Sequence, residues 1–174
     1  ELRDKAGLPR FASQTVDPRN VYLMVSMMKD VVKYGTAKKA KVLKRPDIAG
    51  KTGTTNDQKD AWFSGFNREI VTVSFLGFDD HSSLGKKEFG SSAALPMWID
   101  YMKTALRGTP KSNLDEPDGL VSAKIDSKNG LLASPDSKNS ITEVFRKENV
   151  PKTFSKENKI SKSKEEELEL EKLF

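Results

Sequence analysis

Between positions 17 and 35 the apolar residues Val21, Val25, Met28 and Val32 recur at helical spacing with Met24 and Val31 beside them, while Arg19, Ser26, Lys29 and Lys33 share the opposite stripe. This pattern predicts an amphipathic helix. Asp17 would cap its free N–H groups, Pro18 fits a first turn where a missing N–H costs nothing, and Gly35 would supply a left-handed stop. After a basic connector ending at Pro46 the period shortens. Residues 48–55 form a threonine-rich run closed by Asn56-Asp57, and residues 61–66 and 70–78 are two further apolar runs joined near Asn67-Arg68. Together they predict a three-strand antiparallel meander. A loop over 79–91 then leads to a second helix, about 93–106, closed by Gly108.

Beyond Thr109 the pattern changes. Pro110, Pro117 and Pro135 separate short apolar pieces, 120–125 and 141–145, that predict a small accessory hairpin. From Lys147 the chain is mostly Lys, Glu, Ser and Asn, the composition of a disordered segment or a fraying charged helix. The expected organisation is a main body over 1–108, an accessory β segment over 109–146 and a charged tail over 147–174, of α+β class.

Composition narrows the chemistry. With 174 residues, 36% hydrophobic, the chain is long enough for one domain plus a tail. A net charge of +5 is mild, and the basic residues Lys38, Lys39, Lys41, Lys44 and Arg45 are not interleaved with aromatic residues, so no nucleic-acid partner is expected. The absence of cysteine excludes a thiolate nucleophile, a disulfide framework and a cysteine-based zinc site, and the single His81 cannot build a multi-histidine metal centre. No apolar stretch approaches the ~20 residues of a membrane span. Opening on Glu1 rather than Met, the chain is expected to be a fragment or processed piece, with any membrane anchor upstream.

The candidate chemistry lies in Lys51-Thr52-Gly53-Thr54-Thr55. A phosphate loop would need a glycine five positions before Gly50, where Arg45 stands, and its lysine would open a helix rather than lie in a strand. Lys-Thr-Gly alone is a weak signal that also fits a strand end with an exposed lysine. The surrounding run "IAGKTGTTNDQKDAWFSGF" sharpens it, with "MMKDVVKYGTA" before and "FLGFDD" and "SLGKKEFGSSAALPMWIDYM" after.

Together these segments resemble the C-terminal half of the transpeptidase domain of bifunctional (class A) penicillin-binding proteins, and K-T-G is one motif of that group. The resemblance implies a β-lactamase/transpeptidase-like α+β fold, incomplete here, with antiparallel strands, packed helices and a polar C-terminal tail. It further implies serine acyl transfer that cross-links peptidoglycan stem peptides on lipid II-derived strands, acylation by β-lactam antibiotics, no cofactor or metal, and a cell-envelope location on the outer face of the cytoplasmic membrane. By the same resemblance Lys51 would supply positive charge beside the nucleophile and the substrate carboxylate. Thr52, Thr54 and Thr55 would line the substrate site, Gly53 would leave room, and the Thr54 backbone N–H would form half of an oxyanion hole. Strand alternation puts Lys51 on the face opposite Thr52 and Thr54, so its ammonium would reach the pocket from beneath. Asp60, Trp62, Phe63, Ser64 and Gly65 are read as structural support.

The family's motifs run S-x-x-K, S-x-N, K-T-G in chain order. Ser26-Met27-Met28-Lys29 fits the first formula but lies on the polar face of a helix, where neither a desolvated lysine nor an oxyanion hole is expected. Ser83–Lys86 and Ser161–Lys164 fall in a loop and the tail, and the S-x-N matches at Ser127–Asn129 and Ser137–Asn139 follow K-T-G instead of preceding it. The nucleophile is therefore expected in an upstream part of the same protein, leaving this piece inactive alone and weakly cooperative in unfolding. A non-catalytic carboxylate-binding module or remnant, and a β-lactamase-type hydrolase, remain as alternatives.

Overall fold

Asp17 opens α1 (Pro18–Lys33) by accepting the Arg19 N–H at 2.9 Å, and its carboxylate also holds the Arg19 guanidinium at 2.8 Å. The computed structural model describes residues 15–134, 137 and 139–155, in two units that divide between Pro117 and Asp118. The end of α1 differs from the predicted stop. The helix closes at Tyr34, and Gly35 is not left-handed; glycine is needed there because a Cβ would lie 2.8 Å from the Val31 Cα. The polar stripe is also less solvated than its pattern suggests: Ser26 and Lys29 are half-buried, whereas Val21, Met24 and Met27 are exposed.

The meander forms as predicted. β1 (Ala49–Thr54), β2 (Asp60–Phe66) and β3 (Val71–Gly77) pair antiparallel in that order, with Thr52 opposite Phe63 and Phe63 opposite Ser74. Period-two alternation buries Ala61, Phe63 and Gly65 on one face of β2 and exposes Trp62 and Ser64 on the other. α2 (Leu95–Ala105) covers the buried face: Leu95, Trp98 and Met102 are fully buried, the Trp98 and Phe63 rings meet edge to face at 4.9 Å, and Trp98 Nε1 donates to the Thr72 carbonyl at 3.1 Å. Val32, Ala37, Ala40 and Ile48 complete this core. A π-helical turn, Gly90–Ala94, leads into α2, and left-handed Gly108 (φ 78°) lies just past its end. On the opposite face Trp62, Val71, Val73 and Phe75 are exposed, with the Trp62 and Phe75 rings in tilted contact, centroids 4.4 Å apart.

A buried ion pair fastens the segment after α2 to the first unit. The Arg45 guanidinium binds Asp47 through two hydrogen bonds of 2.9 and 2.6 Å and donates to the carbonyls of Thr109 and Pro110 at 2.8 and 2.9 Å. Asp47 also accepts the Ser112 N–H at 3.3 Å, and Lys29 Nζ donates to Asn113 Oδ1 at 2.6 Å. Residues 109–117 thus belong with the first unit.

In the second unit β4 (Leu120–Asp126) pairs antiparallel with β5 (Ser140–Arg146), the hairpin read from the apolar pieces. Leu132 bridges Ile125 and Phe154, and Ser155 Oγ donates to Asp126 Oδ2 while accepting from Asn129 Nδ2, both at 2.8 Å. Residues 147–155, which composition assigns to the tail, therefore form a short 3₁₀ turn (Lys147–Asn149) and a bridged strand end; 156–174 lie outside the described residues.

Candidate functional site: the open edge of β1

The hydrogen-bond phase of β1 decides which main-chain groups are available. Thr55 N donates to the Asp60 carbonyl at 3.1 Å, and in an antiparallel ladder such bonded pairs alternate with unbonded ones. With the observed register, Gly53 and Lys51 then bond to Trp62 and Ser64, and the N–H and C=O groups of Gly50, Thr52 and Thr54 point away from β2. Among the described residues β1 has no partner on that side. The edge offers donors and acceptors at the spacing an added strand requires.

The side chains of the cluster gather at this edge. Lys51 starts on the face shared with Ser64, but its side chain folds round: Nζ donates to the Thr52 carbonyl at 2.7 Å and approaches Thr52 Oγ1 at 3.4 Å. The ammonium thus reaches the threonine side by wrapping the edge rather than by passing beneath the sheet. Thr52 Oγ1 lies 2.8 Å from Thr36 Oγ1, and Thr54 Oγ1 accepts the Gly90 N–H at 3.0 Å. Gly53 keeps the strip above Trp62 clear, since a Cβ there would meet the Trp62 Cβ at 3.2 Å. Thr55, one residue past β1, differs from the others in that its hydroxyl accepts the Asp60 N–H at 2.8 Å and closes the β1–β2 turn.

That turn is held from outside as well. Asp57 and Gln58 adopt left-handed backbone at φ 59° and 51°, and their carbonyls accept from Ser83 Oγ at 2.7 Å and Leu84 N at 2.9 Å. Ser83, one of the S-x-x-K serines, is thereby engaged in fastening the turn. Gly90 seats directly on the strand pair: a Cβ on it would lie 2.4 Å from the Trp62 carbonyl oxygen and 2.5 Å from that of Gly53. Because both obstacles are backbone, Gly90→Ala should destabilise the first unit by about 1–3 kcal/mol and displace Thr54, measurable as a lower urea midpoint. Periodicity gave no sign of Thr36 or Gly90; their hydroxyl and N–H join the cluster through tertiary contact.

Electrostatics around the edge are simple. Burial lowers the ammonium pKa of Lys29, the lysine of the first S-x-x-K match, against an opposing pull from Asp47. His81 is an exposed loop residue, and the described residues contain no cluster of metal-ligating side chains and no helix long and apolar enough to cross a membrane.

The chain is similar to penicillin-binding protein 1A of Pseudomonas aeruginosa, 47% identical over 143 residues that make up 82% of this chain and 17% of that protein. Its likeness to the Neisseria lactamica protein of the same name is 54% over 110 residues, 63% of this chain and 14% of that one. Residues 116–159 match the family model described as the penicillin-binding protein 1A C-terminal domain. The chain belongs to the penicillin-binding protein 1A family, as a C-terminal part. The crystal structure of penicillin-binding protein 1A from Haemophilus influenzae superimposes with a TM-score of 0.78 at 34% identity, over 87% of this chain and 23% of that one. The fold is therefore α+β, transpeptidase-like and incomplete, and the chain spans less than a quarter of the length of the penicillin-binding protein 1A relatives named above.

Proposed function

We propose that this chain supplies the substrate-holding edge of a peptidoglycan D,D-transpeptidase that works by serine acyl transfer and is acylated by β-lactams. The observation that carries this reading is the convergence on one open strand edge of the Lys51 ammonium, the Thr52 and Thr54 hydroxyls and the outward Thr54 N–H. A donor peptide ending in D-alanyl-D-alanine would lie along the edge as an added strand. Its carboxylate would be held by Thr52 and Thr54 with Lys51 nearby, and the Thr54 N–H would stabilise the tetrahedral oxyanion. Gly53 leaves room for the substrate to approach, and Thr55 fixes the end of the edge by closing the β1–β2 turn.

The nucleophilic serine and its S-x-N partner would come from another part of the polypeptide, as would a membrane anchor. On this reading the first unit, through Pro117, is the transpeptidase portion and the hairpin unit that begins at Asp118 an accessory β segment, with the protein working in the cell envelope. The test is covalent labelling of the full-length protein by a fluorescent penicillin. Lys51→Ala should slow labelling by about a hundredfold, the scale of losing a charge-assisted contact at the reacting centre. A full-length protein that is not labelled at all would remove the transpeptidase reading and leave a carboxylate-binding module.

A further inference from the structure

Thr36 stands between two anchored points. Just before it the Gly35 N–H returns to the Asp30 carbonyl at 3.0 Å; just after it the Ala37 N–H bonds the Val31 carbonyl at 3.1 Å, with Ala37 fully buried. The backbone on either side is fixed, while Thr36 itself is exposed and contributes nothing to the core. Its one side-chain hydrogen bond in the described structure joins its Oγ1 to Thr52 Oγ1 at 2.8 Å.

A hydroxyl carries one proton and two acceptor positions. If Thr52 directs its proton to a bound carboxylate, the proton of the Thr36–Thr52 bond must come from Thr36. The Thr52 oxygen then receives donors from Thr36 and, at 3.4 Å, from the Lys51 ammonium. Both acceptor positions are filled, so the Thr52 proton is turned outward. Thr54 is wired the same way, because the Gly90 N–H at 3.0 Å can only donate and so leaves the Thr54 proton free.

We propose that Thr36 is a positioning residue for carboxylate recognition: by donating to Thr52 it commits the Thr52 hydroxyl as a donor to the substrate's terminal carboxylate. The inference rests on the reading of β1 as the substrate edge. It belongs to a residue sixteen positions before Thr52, outside the K-T-G run.

The test compares acylation of the full-length protein by a penicillin with a free carboxylate and by the methyl ester of the same penicillin. Thr36→Val keeps the shape but removes the hydroxyl, and should slow acylation by the free acid about tenfold, the scale of one hydrogen bond to a charged group. The ester has no carboxylate charge to receive the Thr52 proton, so its rate should stay within about twofold of wild type, and Thr36→Ser should restore the acid rate. An unchanged acid rate in Thr36→Val, or an equal loss with acid and ester, overturns the proposal. A wild-type protein labelled by neither compound overturns the underlying transpeptidase reading, and this proposal with it.

Discussion

Asp47→Ala is expected to cost about 3–5 kcal/mol and to free residues 109–113 from the first unit. The Asp47 side chain is fully buried and that of Arg45 is 8% exposed, so removing the carboxylate strands a guanidinium in the interior. The Ser112 N–H and the Asn67 amide, at 3.3 and 3.5 Å, lose their acceptor in the same step. Urea unfolding followed by tryptophan fluorescence should show the midpoint fall, and brief proteolysis should cut the variant within 109–113 while sparing the wild type. If the midpoint moved by less than about 1 kcal/mol, water would be replacing the carboxylate and the pair would not be sealed from solvent. The pH dependence has a definite sign. Burial alone would push the Asp47 carboxyl up, but the Arg45 guanidinium and the Ser112 N–H outweigh it and hold the pKa below its ordinary value of 3.8. A carboxyl depressed on folding stabilises above its unfolded pKa and loses that contribution as pH falls through the folded one. This part of the stability should be flat from pH 7 to about 5, begin to fall near pH 4 and be gone only once the pH is below the depressed folded pKa, and Asp47→Ala should lack it.

Trp98→Ala should destabilise the first unit by a similar amount, about 3–5 kcal/mol. The indole is fully buried, packs edge to face on Phe63, and holds the Thr72 carbonyl through Nε1. Gly65 opposite it has no side chain to expand into the vacated volume; a Cβ there would lie 2.6 Å from the indole. The cavity would therefore persist, and the Thr72 carbonyl would lose its bond. Native-state hydrogen exchange should show the amides of β2 and β3 opening together at much lower free energy, while those of β4 and β5 in the second unit are unchanged. A variant with exchange like wild type would mean that α2 does not hold the sheet.

Local patterning made the helices and the meander legible. Val21 to Val32 carry a period near 3.6, residues 61–66 and 70–78 are apolar runs joined at a turn, and Asp17-Pro18 marks a start that the structure uses. The K-T-G run was visible as a motif, and the antiparallel register that aims Thr54 N–H outward follows from a turn between adjacent strands. What lay beyond reach depends on contacts between distant positions. Thr36 meets Thr52 across sixteen residues, Gly90 meets Thr54 across thirty-six, and Ser112 meets Asp47 across sixty-five. No periodicity encodes such pairs. Gly35 illustrates a different limit: its identity suggests a left-handed stop, but the actual constraint is the approach of Val31, visible only in three dimensions. Lys51 shows a third, since alternation assigns a side chain's root to a face and says nothing of where a four-carbon stem will carry its ammonium.

The outward N–H of Thr54 belongs to the main chain, and this shapes how heredity can act on the edge. No codon change at Thr54 short of proline deletes that donor, whereas the hydroxyls beside it are each one substitution from loss. If the edge holds the peptide and the β-lactam as proposed, inherited variation that discriminates a drug from the natural peptide should accumulate less in the strand's own donors than in the positions that set its placement. Gly90, seated on the β1–β2 pair, is such a position, and on that reading a survey of resistant lineages would look there first.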